Sequence, residues 1–535
     1  MAWLPTLEKA VASLAAAMHP DFRLWLTTEP HPLFPPILLQ NSLKITFESP
    51  PGIKKNLQRT LGTWGRDFID GTGAASPAKG EEKADSGAVP RRRGQLLFLL
   101  AWFHAVVQER RTYLPQGWSK AYEFSVGDLR AGTMVLDTVS RAEGGLDLNL
   151  IHGLMEDAIY GGRVDNPSDL RVLRTYITRL FSHATLGNGS RNQPELTRGV
   201  RMPAACSFDE LSRWAAALPD DDAPSIFGLP DAIQRALQRS LSAGVAAGLR
   251  SLSVSSEGSS KFDREKWRSG IGPLLDLWQS LSEADDHAPK GGAGMTPTDQ
   301  FVLFENDSAV ELCRFVSGQV AALRKVAFGS ALLTPNIHAV GSALLRGEVP
   351  PSWEKRWGGP ETAVAWLTTL ARKKKALAGW AAAAASGGRL LSSPLHLSDL
   401  FNPGTFLNAL RQQSARRLGV PLEGTKLISA FDASKLGGAQ LQVTLDGLLV
   451  ENACVERDEL ADAGTAELSR SPTLTLAYVG LDHPEPYRGH KGETLTVPVY
   501  HSASREKHLV DLRVLVGGEP ATWILAGAAF LLSAD

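Results

Sequence analysis

The sequence predicts a multidomain α+β protein: a partial α/β layer, then largely helical segments, then a six-stranded antiparallel β-barrel. Three observations carry that expectation. Apolar residues recur at helical spacing through most of the first 400 positions, and beyond Leu400 they alternate every second residue. The stretch DGTGAASPAKGEEKADSGAVPRRRG at 70–94 has no large apolar side chains to offset the entropy of ordering it. With 535 residues, of which 43% are hydrophobic, the protein is long enough to bury several cores, at roughly 100 to 200 residues per domain.

Trp3, Leu4, Leu7, Val11 and Leu14 are spaced as one face of an amphipathic helix. It begins almost at residue 2 with no strand or cap ahead of it, so the expectation is a start in mid-domain. DFRLWLTTEPHP at 21–32 reads as a short buried strand, and 35–64 as a loop entering another helix. Residues 1–66 are thus taken as part of an α/β layer, and 67–94 as a disordered insertion. Residues 95–225 hold helical patterns such as QLLFLLAWFHAVVQERRTYL, SVGDLRAGTMVLDTV, LNLIHGLMEDAIY and SDLRVLRTYITRLFSH. Residues 226–400 continue as helices from PDAIQRALQRSLSAGVAAGL to ARKKKALAGWAAAAA. In 401–535, one helix at PGTFLNALRQQSARRLG precedes six alternating segments: AQLQVTLDG, LLVENACV, TLTLAYVGL, ETLTVPVYHS, HLVDLRVLVG and ATWILAGAAFLL. Short strands at that spacing fit a closed barrel or a sandwich.

Composition and motifs argue against several chemistries. A formal net charge of -1 and a pI near 6.9 leave no global basic footprint for nucleic acid or an anionic membrane. Cys206, Cys313 and Cys454 form no CxxC pair and have no histidine at metal-ligand spacing, which points to a reducing, intracellular setting. No apolar run approaches the ~18 residues of a membrane span. A phosphate-cradling loop of the GxxxxGK[ST] type needs Gly-Lys, and that dipeptide is absent. The nearest Gly-rich run, Gly71 to Ser76, follows no strand.

His104, Glu109 and Arg110 share one helical segment, but His104 and Glu109 are five apart and face each other poorly. The expectation is an aromatic face that packs and a QERR end that is solvated or paired. His152 and Glu156, four apart, read as a hydrogen-bonded helix surface. The basic run ARKKK at 371–375 reads as a solvated face, with an acidic partner as the sharper alternative, and Arg91 to Arg93 as the border of the insertion. The 13 tryptophans show no repeat and are read as core and interface anchors. No catalytic, cofactor-binding or metal-ligating residue is assigned.

Several blocks, taken together, resemble the end of a dynein heavy chain. Residues 22–60 resemble the stretch closing the large subdomain of that family's sixth AAA+ module, and 96–130 the start of its helical lid. AIYGGRVDNPSDLRVLRTY at 158–176 is similar to the family's YGGRV segment, with Tyr160, Gly161, Gly162, Arg163, Val164 and Asp169 in place. IFGLPDAIQRALQR at 226–239 resembles the start of the family's C-terminal domain. SSKFDREKW, DLFNPGTFLNALRQQSARRLG, VPVYHSASRE and WILAGAAFLL resemble the branch that serves retrograde intraflagellar transport. The segment at 70–94 departs from the family pattern.

The resemblance implies that 1–66 end the sixth AAA+ large subdomain, that 95–225 form its lid, and that 226–400 and 401–535 are the helical and barrel parts of the C-terminal domain. It implies a structural and coupling part of an ATP-driven, minus-end-directed microtubule motor, with no cofactor in this segment and ATP and Mg bound elsewhere in the parent chain. The implied partners are the rest of the AAA+ ring, microtubules through the parent chain, dynein light, light-intermediate and intermediate chains, and intraflagellar transport particles; the implied location is cytoplasm, cytoskeleton and cilium. A truncated independent AAA+ ATPase and a free-standing scaffold with the same fold remain alternatives.

Overall fold

The structure, a computed structural model, describes residues 3–14, 18–28, 34–40, 42–45, 48–70, 88–140, 146–186, 193–255, 262, 264–282, 295–385, 390–488 and 492–533. The protein divides into two compact units, Met1–Pro51 and Gly52–Asp535.

The first unit holds helices α1 (Leu4–Leu14) and α2 (Pro36–Gln40). The strand expected at 21–32 does not form: residues 21–28 are irregular, and Trp25 is 78% exposed. No strand is present among this unit's described residues to pair with it, and an unpaired strand leaves its amides and carbonyls without partners.

In the second unit, α3 (Ile53–Asp70), α4 (Ala88–Glu109), α5 (Val126–Ser140), α6 (Leu148–Gly153), α7 (Pro167–Leu180) and α8 (Phe208–Ala217) build a helical block. Residues 67–70 and 88–94, read from sequence as part of an insertion, are helical; 71–87 lie outside the described residues. Within α4, every residue from Leu96 to Val107 is buried, as expected of a helix surrounded by others. Pro167 at the first helical position and Asn166 as cap, accepting from Ser168 N at 2.9 Å, start α7. Asp169 in its first turn accepts from Ser119 N at 3.0 Å and Tyr122 Oη at 2.8 Å, which ties the α4–α5 connection to α7. A small hairpin, β1 (Glu195–Thr197) with β2 (Val200–Arg201), interrupts a block expected to be all helical.

The YGGRV segment follows a π-helical turn at Leu154–Ile159, closed by Tyr160 N to Met155 O at 3.0 Å. That wide turn brings the Glu156 carbonyl against Gly161, where an added Cβ would lie 1.4 Å from the oxygen. Only glycine fits there.

A second helical block contains α9 (Ala232–Ser255), α10 (Arg264–Ser282), α11 (Pro297–Ala327), α12 (Pro335–Leu345), α13 (Pro351–Glu354), α14 (Ala363–Ala385) and α15 (Pro403–Leu418). A capping box, Thr296 with Asp299, opens α11. Trp267, Trp278, Trp353 and Trp366 anchor the core shared by α10, α11, α12 and α14.

The β-rich end contains β3 (Thr425–Ala430), β4 (Val443–Leu445), β5 (Leu449–Glu451), β6 (Cys454–Glu456), β7 (Glu459–Ala461), β8 (Leu468–Arg470), β9 (Leu474–Gly480), β10 (Glu493–Tyr500) and β11 (His508–Val516), then α16 (Pro520–Ala526) and β12 (Ala529–Leu531). The expected six-stranded antiparallel barrel is not what forms. One seven-stranded sheet runs β6-β7-β11-β10-β12-β5-β8 and stays open, with β6 and β8 as edges; a second has the order β3-β9-β4.

The larger sheet is mixed, because β12 runs parallel to β10 and β7 parallel to β11. The cause is local. ATWILAG, read as strand, is helical: Pro520 sits at its first position and Gly527, at φ 68°, ends it left-handed, so α16 becomes a crossover that delivers β12 parallel to β10. LLVENACV breaks into β5 and β6 at Asn452, whose φ is 61°. Val443, Leu474, Leu476, Val497, Val514 and Phe530 from both sheets bury against Phe406 and Leu410 of α15 in one core.

Replacing Gly161 by Ala is expected to open the π turn at a cost of roughly 3 kcal/mol or more. A clearly lowered unfolding midpoint for G161A, with G153A as an unhindered control, checks this.

Candidate coupling interface

The polar end of α4 enters the protein instead of leaving it. Gln108 and Glu109 are each 6% exposed and Arg110 is fully buried. Gln108 Nε2 donates to Phe124 O at 2.6 Å, and Glu109 accepts from Gly52 N and Asn56 Nδ2, both at 3.0 Å. Gln108, Glu109 and Arg110 of the QERR end are therefore paired and buried, while Arg111 stays exposed.

Arg110 has no carboxylate partner among the described residues; carbonyls and one phenol surround it. Its Nε donates to Gly117 O at 2.5 Å, Nη1 to Phe227 O at 2.6 Å and to Tyr176 Oη, and Nη2 to Leu525 O at 2.6 Å. The guanidinium lies 5.6 Å from the Trp118 ring and 5.4 Å from the Tyr176 ring. A planar fork with five donors suits such a site in a way an ammonium does not.

Leu525 O is one of the carbonyls that a helix C-terminus leaves unpaired. The next two are taken as well: Ala526 O by Asn452 Nδ2 at 3.0 Å and Gly527 O by Arg505 Nη2 at 2.6 Å. Three consecutive carbonyls at the end of α16 are thus held by the first helical block, the β5–β6 connection and the β10–β11 hairpin. Cationic side chains there also suit the negative end of the helix dipole.

Arg505 and Glu451 form an ion pair whose side chains are each 7% exposed, with Nε to Oε2 at 3.1 Å, and Gln116 Nε2 donates to Glu451 Oε1 at 3.1 Å. At Gly527 an added Cβ would lie 2.6 Å from Gln116 O, so the turn and the first helical block fit only with glycine there. Arg171 Nη1 to Thr496 O at 2.5 Å and Arg239 with Glu467 at 2.7 Å extend the seam.

Of the other residues weighed from sequence, His104 is buried and its Nδ1 lies 3.0 Å from Tyr160 Oη; burial, partly countered by Asp128, pulls its pKa down to about 4. His152 Nε2 bonds Phe181 O at 2.7 Å, while Glu156 faces Arg174 at 3.5 Å. The ARKKK run is only in part a solvated face: Arg372 and Lys375 are exposed, but Lys373 and Lys374 are 3% and 5% exposed. Lys373 donates to Ser398 O at 2.5 Å and Leu400 O at 2.8 Å between the Trp357 and Phe401 rings, and burial lowers its pKa to about 8. Gly71 to Ser76 lie outside the described residues.

No group of three or more potential metal-ligating His, Cys, Asp or Glu residues occurs among the described residues, nor does any helix there have the length and apolarity to cross a membrane. Sequence reasoning did not single out Gln116, Glu451 or Arg505. The signals present were Gly527 in WILAGAAFLL and the polar QERR end of an otherwise apolar helix.

What the seam can do is mechanical. It makes a helical block and a sheet block one body through buried hydrogen bonds, and it offers no nucleophile or acid/base pair. The sequence matches three dynein heavy-chain families: the C-terminal domain over residues 246–532, the AAA lid domain over 93–233 and the region D6 P-loop domain over 1–46. The protein belongs to the dynein heavy chain family. Over 99% of its length it is 42% identical to cytoplasmic dynein 2 heavy chain 1 of Tripneustes gratilla and 38% identical to that of Homo sapiens. It is 28% identical, over 95% of its length, to the cytoplasmic dynein heavy chain of Dictyostelium discoideum. It spans 12% of the length of the first two relatives and 11% of the third.

Substituting Arg110 by Lys is expected to cost about 3–5 kcal/mol, because one ammonium cannot reach all four acceptors and buried carbonyls are left unpaired. Hydrogen exchange should then quicken at residues 525–531 before the α10–α12 core loosens; unchanged exchange there would contradict the seam.

His104 gives a pH signature. Its folded pKa of about 4 lies below the usual 6.5, so the unfolded state binds the extra proton between those values. Its contribution to stability is present above pH 6.5 and is lost as pH falls toward 4, on the order of 3 kcal/mol in all. Unfolding titrations of the protein and of H104Q across that window should diverge, the variant showing the flatter slope.

Proposed function

We propose that this protein is the bracing and coupling end of a dynein heavy chain: the part of an ATP-driven, minus-end-directed microtubule motor that transmits shifts between modules and hydrolyses nothing itself. The seam centred on Arg110 carries this reading, because it welds the lid-matching block to the block matching the C-terminal domain with buried, directional bonds. A stiff body of this kind passes rigid-body rotations of its neighbours onward instead of absorbing them.

Nucleotide chemistry is assigned elsewhere in the parent chain. These 535 residues have no Gly-Lys dipeptide for a phosphate loop, and ATP and Mg would be held by other modules. The subtype follows from similarity to proteins named cytoplasmic dynein 2 heavy chain 1, which stand at 30–42% identity, most of them at 38% or more, against 28–29% for cytoplasmic dynein heavy chains. On that basis the motor serves retrograde intraflagellar transport and cilium assembly. Its setting is the cytoplasm, cytoskeleton and cilium, and its partners are dynein light, light-intermediate and intermediate chains and transport particles. We assign residues 1–66 to the sixth AAA+ large subdomain, 95–225 to its lid and 226–535 to the C-terminal domain, with 71–87 as an insertion.

In the full heavy chain, R110K is expected to slow microtubule gliding severalfold while basal ATP turnover stays within about twofold, since the loss is in transmission and not in chemistry. Parallel loss of both activities would sink the coupling role. ATP turnover by the 535-residue protein on its own at ordinary enzyme rates, about 1 per second or faster, would sink the reading as a whole.

A further inference from the structure

An arginine-framed apolar patch lies at the far end of α11, outside the seam. There α11 ends in a Schellman motif: Gly329, at φ 80°, donates its N–H to Val326 O at 3.0 Å, and Ser330 N donates to Lys325 O at 2.8 Å. The motif fixes the direction in which the backbone leaves, and Leu333 packs against the core of α10, α11, α12 and α14. Between these two anchors Phe328 is 55% and Leu332 91% exposed, held out to solvent by a defined turn.

Guanidinium groups border the Phe328 ring and the turn that follows it. Arg268 lies 4.8 Å and Arg324 6.0 Å from the Phe328 ring centroid. Arg264 comes so near the turn that its Nη1 would sit 2.6 Å from a Cβ at Gly329. Arg324 already pairs with Asp276 at 3.4 Å, whereas Arg264 and Arg268 are exposed and hold no carboxylate among the described residues. Stacking on an aromatic ring holds a guanidinium in place and lowers the entropy lost when it later binds.

We propose that this surface docks an acidic peptide segment bearing an aliphatic or aromatic anchor. The anchor covers Leu332 and the Phe328 ring, and two carboxylates of the segment meet Arg264 and Arg268. Charge complementarity selects this occupant: guanidiniums without a carboxylate at the Phe328 ring and the Gly329 turn, on a segment that also exposes Leu332, ask for acidic and apolar character together, and a purely apolar partner leaves both charges desolvated without a counter-charge.

The test is fluorescence anisotropy of the 535-residue protein with a fluorescein-labelled 12-residue peptide that alternates Glu and Leu and carries one Phe. A matched peptide with Lys in place of Glu serves as control. The expected result is micromolar binding of the acidic peptide alone, weakened by salt. R264E/R268E should weaken it at least tenfold and L332S about fivefold, with both variants keeping the parent's circular dichroism and unfolding midpoint. Absence of binding, equal binding of the Lys peptide, or indifference to the substitutions overturns the proposal. So does sedimentation of the protein with phosphatidylserine vesicles when the peptide does not bind, since the patch would then be a lipid-facing one.

Discussion

One buried guanidinium holds the two halves of the larger unit in register. Arg110 draws together carbonyls at positions 117, 227 and 525, so a single side chain closes contacts across more than 400 residues of sequence. A buried charge is tolerable only when its hydrogen-bonding capacity is met, and here it is met by backbone oxygens whose positions the surrounding elements already fix. The Phe227 carbonyl belongs to a short 3-10 turn at Pro224–Phe227, and the Leu525 carbonyl to the last turn of α16. Neither can move without leaving the guanidinium short of a partner, so the geometry of each block constrains the other.

The choice of carbonyls over a carboxylate has a mechanical consequence. An ion pair between two flexible side chains can follow a sliding interface by changing rotamers. A guanidinium bonded to backbone oxygens cannot, because the acceptors move only with their helices. The Glu451–Arg505 pair beside it obeys the same logic, since Arg505 also holds Gly527 O and Glu451 is fixed from the other side by Gln116. Buried networks of this type add little net stability compared with apolar packing, yet they define one arrangement sharply. That trade suits the bracing role proposed above.

Much of the helical organisation was legible because it rests on local signals. The apolar run from Leu96 to Val107 is written within a few residues and reads as helix; the Asn166-Pro167 start of α7 and the Thr296/Asp299 box of α11 are equally local signals that the sequence reading passed over. The β-rich end was legible in part as strands, with β3, β7 and β8 outside the segments read, and not as topology. Alternation reports that a segment is half-buried, while pairing order depends on which edge each crossover reaches. Pro520 and Gly527 did bracket a helix, and reading ATWILAG by its apolar content alone turned a parallel mixed sheet into an antiparallel barrel. The seam was hidden for a related reason. Arg110 lies at the polar end of an apolar helix, where solvation is the ordinary outcome, and only contacts from residues 227 and 525 make burial possible.

The buried lysines of ARKKK extend the same lesson to charge. Helical geometry turns Lys373 and Lys374 inward beside Leu370 and Leu377, so a basic run divides between core and solvent by its angular position. Lys373 then works as a smaller counterpart of Arg110, donating to Ser398 O and Leu400 O in the connection from α14 to α15. Glu305, fully buried on α11, accepts from Phe401 N at 2.7 Å on the other side of that connection. Both junctions, from the first helical block to α16 at Arg110 and from α14 to α15 at Lys373 and Glu305, are thus fastened by buried charges on backbone groups. Apolar cores fill the blocks, and directional bonds set how the blocks meet.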